Sequence, residues 1–146
     1  RDAVYDRDVT KFSIDEMVGS LSRLSVLGII EKITLFMDVT YVNPEESSGL
    51  LWDYPDLPEK ISILSSNSNG ETSQLYNDKK HSFFTYSLLK GLSGNADDGD
   101  NIIDLGEITE YVYKSVPENI RNQPGSLRQN PKFNGLDLKR ILLDLR

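Results

Sequence analysis

Two short, apolar, β-branched runs alternate with three stretches of helical periodicity, and that alternation narrows the fold more than any other feature of the chain. Lys32-Ile-Thr-Leu-Phe-Met37 and Ile61-Ser-Ile-Leu-Ser65 are expected to be buried strands. Ile14, Met17, Val18, Leu21 and Leu24 recur at helical spacing and predict a helix over 14–25. Ser13 suits its N-cap, Glu16 completes a capping box, and Gly28 stands near its end. Phe83, Phe84, Tyr86, Leu88, Leu89 and Leu92 define a second helix over 82–92, stopped by Gly91 and Gly94. Their aromatic stripe reads as core. Leu105, Ile108, Tyr111, Val112 and Val116 define a third helix, with Asp104 as N-cap, Glu107 three residues on, and Pro117 as its end. Arg140-Ile-Leu-Leu-Asp-Leu145 suits a last strand or a short helix. Helices alternating with short strands imply an α/β sandwich with parallel strands. Three strands are few for such a sheet, which fits a chain supplying only the later part of a larger domain.

The connections are long and polar. Residues 1–11 are charged and mixed. Residues 42–59 carry Pro44, Pro55, Pro58 and Gly49, residues 66–80 are rich in Ser, Asn and charge, and residues 118–135 lack periodicity. Loops of this length are functional or disordered as a rule. Trp52 and Tyr54 would either line a peptide groove or anchor their loop on the core.

With 146 residues the chain fits a single domain able to bury one core. A net charge of −7 without any Lys/Arg cluster argues against nucleic acid and against anionic membrane surfaces as partners. No cysteine is present, so disulfides, thiolate zinc sites and a cysteine nucleophile are excluded. No apolar run approaches the ~18 residues of a membrane span. No export signal is visible, so a cytoplasmic location is expected.

Beyond periodicity, an ordered set of motifs stands out. His81-Ser-Phe-Phe-Thr-Tyr-Ser-Leu-Leu-Lys-Gly-Leu-Ser-Gly-Asn-Ala-Asp97 is followed by Asp104-Leu-Gly-Glu-Ile-Thr-Glu-Tyr-Val112 and then by Gln129-Asn-Pro131. In this order they resemble the C-terminal half of caspase-like and metacaspase-like cysteine peptidases. The resemblance covers roughly residues 1–145 and is most specific over 81–131. It implies a caspase-like three-layer sandwich, with a mostly parallel six-stranded sheet flanked by helices, of which this chain would hold the later strands.

In that family a histidine after an earlier strand activates a cysteine, and the strand bearing it ends in Asp-x-Cys. Here Phe36-Met-Asp-Val-Thr-Tyr41 occupies that place, so the resemblance puts Thr40 at the cysteine position. The family histidine would precede Arg1. Val42-Asn43-Pro44 stands where the family has Ser-Gly. Asp38 matches an acid that, in metacaspase-like members, helps to form a pocket for a substrate arginine or lysine by ion pairing.

Three functions follow as expectations. The first is a catalytically inactive pseudopeptidase that binds a peptide or protein partner, including the earlier part of its own domain. The second is a portion of an active endopeptidase cleaving after Arg or Lys, its histidine lying outside this chain and Thr40 serving as nucleophile. An alkyl hydroxyl needs an adjacent base for that role, and none is visible in the sequence. The third is an unrelated α/β interaction module.

Single residues carry paired expectations. Thr40 is a nucleophile or a structural strand-end residue, and Asp38 is a pocket acid or a polar residue bonded to loop amides. His81, the only histidine, is a catalytic base or a contact at a helix start. Asp98, Asp100 and Glu107 are metal-ligand candidates resembling half of a calcium loop, although Ala96 and Asn101 stand where that loop needs a ligand and a glycine. The plainer alternative is a solvated acidic turn that caps a helix. No cofactor other than calcium is suggested.

Overall fold

The computed structural model describes residues 14–39, 57–68, 71–121, 123 and 128–146. The chain is a mixed α/β protein of three α-helices and seven short strands among these residues. Helix α1 (Ile14–Val26) precedes strand β1 (Ile33–Met37), and β2 (Ile61–Ser65) follows. A small hairpin of β3 (Leu75–Tyr76) and β4 (His81–Ser82) leads into helix α2 (Phe83–Lys90). Strand β5 (Ile102–Asp104) runs directly into helix α3 (Leu105–Arg121), and β6 (Lys132–Asn134) and β7 (Ile141–Asp144) complete the order.

Strand β2 is the centre. Every residue of it is buried, as its apolar composition requires. It pairs in parallel with β1, Ile33 opposite Ile61 and Met37 opposite Ser65, across the long crossover that a parallel pair demands. Its other edge pairs antiparallel with β6. Side chains alternate along β2, so its two faces look into different cores. Ile61 and Ile63 pack with Val18 of α1 and with Ile33. Leu64 packs with Phe83, Phe84 and Leu88 of α2 and with Ile108, Val112, Val116 and Ile120 of α3. Strands β5 and β7 form a separate antiparallel pair, and Ile103 of β5 closes the second core.

Several expectations are corrected. The sheet is mixed rather than mostly parallel: β1–β2 is the one parallel pair among the described residues, and three pairs are antiparallel. The antiparallel members are short, and β6 (Lys-Phe-Asn) is half-buried, unlike the apolar run of a strand covered on both faces. Pro117 lies inside α3, which continues to Arg121. A proline inside a helix costs about 3 kcal/mol, but Val112, Val116 and Ile120 form one buried stripe that holds the helix across it. Segment 66–80 contains β3 and a 3₁₀ turn, and segment 118–135 contains β6. Helix α2 does not stop at Gly91 but widens into a π-helical turn over Gly91–Asn95, within which Gly94 leaves helical geometry with φ of 106°. The expected last strand is present as Ile141–Asp144, and the helical alternative for 140–145 falls away. At the end of α1, Gly28 has φ of 71° and donates to the Ser25 carbonyl at 3.1 Å, as a C-capping glycine does.

Candidate functional site

In a parallel pair the carboxyl ends of both strands lie side by side, and such ends are where open α/β sheets place ligands. Here they carry Asp38 after β1 and Ser66 after β2. The Asp38 carboxylate accepts three hydroxyl hydrogen bonds from residues distant in sequence. Ser73 Oγ donates to Oδ1 at 2.5 Å, Thr85 Oγ1 donates to Oδ2 at 2.6 Å, and Ser82 Oγ also donates to Oδ2. Ser82 is at the same time the N-cap of α2, accepting from Thr85 N at 2.9 Å. The tip of β1 is thereby tied to the first turn of α2, whose positive end favours a carboxylate. Asp38 itself is exposed, and no Lys or Arg pairs with it among the described residues. Where the sequence offered loop amides as the alternative partners, the partners among the described residues are hydroxyls.

Beside it, the tip of β2 is fixed by a buried polar network. Ser66 and Asn67 are fully buried and Gln129 is 1% exposed. Ser66 Oγ accepts from Val39 N at 3.1 Å, donates to Asn67 Oδ1 at 2.6 Å, and lies 3.3 Å from the Val39 carbonyl. The Gln129 amide donates to the Ser66 carbonyl at 2.8 Å and accepts from Gln74 N at 2.9 Å. Glu71 accepts from Ser68 N at 3.2 Å and from Asn130 N at 2.6 Å, with Asn130 Nδ2 on its other oxygen. Buried polar groups cost stability unless paired, so the pairing throughout this network is what allows it to lie inside. Its effect is to hold the backbone at Val39, next to Asp38, from two directions.

Sequence reasoning took in Gln129, Ser82 and Thr85 only as parts of motifs and passed over Ser66 and Ser73. The available signal was the spacing of Ser82 to Thr85 at the head of an apolar helical run. Thr40, Ser13, Trp52, Tyr54 and the Val42–Pro44 segment lie outside the described residues, as does the side chain of Glu16. His81 lies on β4, exposed, next to Ser82. The ring of Tyr76, opposite it in the hairpin, stacks on Phe83 at 4.5 Å and fixes the hairpin on α2.

Asp98, Asp100 and Glu107 do come together, with Asp97, their carboxylate oxygens within 4.8 Å of one another. Oxygen ligands of this kind suit calcium or magnesium. Their oxygens already serve the backbone: Asp97 accepts from Asn101 N at 2.9 Å and Asp100 from Ile102 N at 2.7 Å. Both oxygens of Glu107 are engaged, by Asp98 N at 2.9 Å and Asp104 N at 2.8 Å, and Asp104 in turn accepts from Glu107 N at 2.9 Å. That reciprocal pair is the capping box expected at the start of α3. An open cleft of about 720 Å³ runs past this turn, lined among others by Glu110, Tyr111, Tyr113 and Lys139, and does not include Asp38. Asp104, accepting from the Lys139 ammonium at 3.2 Å, raises the pKa of that lysine. Burial raises the pKa of Tyr113, partly offset by the Phe133 N–H it accepts at 2.6 Å.

No helix among the described residues is long and apolar enough to cross a membrane. Comparison with known proteins finds no matching family model, no matching curated protein and no matching solved structure.

Proposed function

We propose that this chain is a caspase-type peptidase-fold domain without catalytic competence, which binds a peptide or protein partner by seating a basic side chain on Asp38. The observation that carries this is the state of the carboxylate. Three neutral hydroxyls orient it at the carboxyl end of the parallel pair without neutralising it, and it stays exposed with no cation paired to it among the described residues. An oriented, unneutralised carboxylate attracts an ammonium or guanidinium by Coulomb and charge-assisted hydrogen bonding. The lack of cysteine supports the non-catalytic half, since Thr40 offers only an alkyl hydroxyl at the family's nucleophile position.

The test combines binding with turnover. Fluorescence anisotropy of peptides carrying one Lys or one Arg should show saturable binding that weakens at least tenfold, roughly, in Asp38→Asn. Mass spectrometry of the same mixtures should show the peptides intact. Cleavage that vanishes in Thr40→Ala would instead establish an active endopeptidase.

A further inference from the structure

An ionised carboxylate offers about four lone-pair positions, two on each oxygen, and a guanidinium fork normally takes one on each. At Asp38 three of those positions are already occupied. Ser82 and Thr85 both donate to Oδ2, and Ser73 donates to Oδ1. Among the described residues nothing else bonds to the carboxylate, which leaves one acceptor position, on Oδ1. The occupants of Oδ2 do not yield equally. Ser82 is buried at 9% exposure, and its oxygen is committed to Thr85 N as the N-cap, so withdrawing its proton from Asp38 would leave a buried O–H unpaired. Thr85 is only half-buried, and its hydroxyl is the one that water could take over.

We propose that Ser82 and Thr85, by filling Oδ2, make the Asp38 subsite selective for lysine over arginine, because acceptor capacity left on Oδ1 alone suits one ammonium N–H and denies the two-pronged guanidinium contact. The proposal rests on Asp38 being the cation subsite and adds the choice between the two basic side chains. A compact ammonium loses nothing when offered one oxygen, whereas arginine's advantage depends on two parallel bonds. Removing the Thr85 hydroxyl opens the second position, on Oδ2, and reverses the preference.

The experiment measures dissociation constants for two peptides identical except for Lys or Arg, with the wild-type chain, with Thr85→Val, which keeps the shape of the side chain, and with Ser73→Ala. Circular dichroism checks that each variant is folded. The wild type should prefer the lysyl peptide by about three- to tenfold, the loss expected when one charge-assisted bond goes unmade at a wet site. Thr85→Val should bring the ratio to unity or below, and Ser73→Ala, which frees only Oδ1, should leave the lysyl preference in place. Equal or tighter binding of the arginyl peptide by the wild type, or a ratio unmoved by Thr85→Val, would overturn the selectivity and leave Asp38 as a subsite. Binding of neither peptide would overturn the subsite itself.

Discussion

Two polar regions of this molecule are built on opposite plans. At the tips of β1 and β2, the hydrogen bonds that join separate segments reach up to 63 positions along the chain, as from Ser73 to Asp38, Gln74 to Gln129 and Gln129 to Ser66. In the acidic turn before α3, bonds join residues two to nine apart, from Ile102 to Asp100 at one extreme and from Asp98 to Glu107 at the other. The first region exists only once the fold has brought distant segments together, and its central groups are buried. The second is assembled by its own few residues and is largely open to water. A site whose parts come from four segments orients a carboxylate that local structure alone would leave free to rotate. A turn that satisfies itself spends its carboxylates on its own amides.

The contrast predicts unequal responses to mutation. Gln129→Leu should cost the most, about 3 kcal/mol by chemical denaturation, since it strands the Ser66 carbonyl and the Gln74 amide in a buried place. A cost near zero would show the β2 tip to be loosely held. Glu107→Ala should cost only about 1 kcal/mol, the value of a helix cap at a solvated end. A loss there as large as that at Gln129 would erase the distinction between the two regions.

Tyr113→Phe deprives the Phe133 amide of its partner and should cost a similar or smaller amount, about 0.5–1 kcal/mol. The sign of its pH dependence follows from the raised pKa: the folded state favours the protonated phenol. That contribution is therefore complete below the ordinary tyrosine value of 10.0 and is lost as pH rises through the higher folded value. Alkaline unfolding should show this loss in the wild type and not in the phenylalanine variant.

The smallest effect is at the exposed chain end. Arg146 holds the Asp144 carboxyl at about 2, below its ordinary 3.8, chiefly by direct hydrogen bonding. The group's favourable contribution is present above 3.8 and fades as pH falls towards 2. Arg146→Ala should return the Asp144 titration, followed by carboxyl NMR, to the ordinary range without a measurable change in stability at neutral pH.

The same contrast explains what could be seen in the sequence. The capping box of Asp104 and Glu107, the helical stripes, the strands β1 and β2 and their parallel pairing all rest on near-neighbour spacing or on apolar runs, and they were legible. Position 38 was found through a motif, but its three hydroxyl partners were not recognised as such. Ser73, Ser82 and Thr85 lie 35, 44 and 47 residues away in polar or helix-start contexts, where serine and threonine have many local uses. Strands β3 to β6 are two or three residues long, too short to show any period. Pro117 misled because a local rule met a buried stripe with more packing energy than the proline takes away.

Amide chemical-shift mapping of the folded chain during titration with a lysyl peptide tests the central claim most directly. Perturbations that saturate at Ser73, Ser82 and Thr85, leave Asp97 to Glu107 unmoved, and disappear in Asp38→Asn are the predicted result. Shifts confined to the acidic turn, or unchanged in Asp38→Asn, would contradict it.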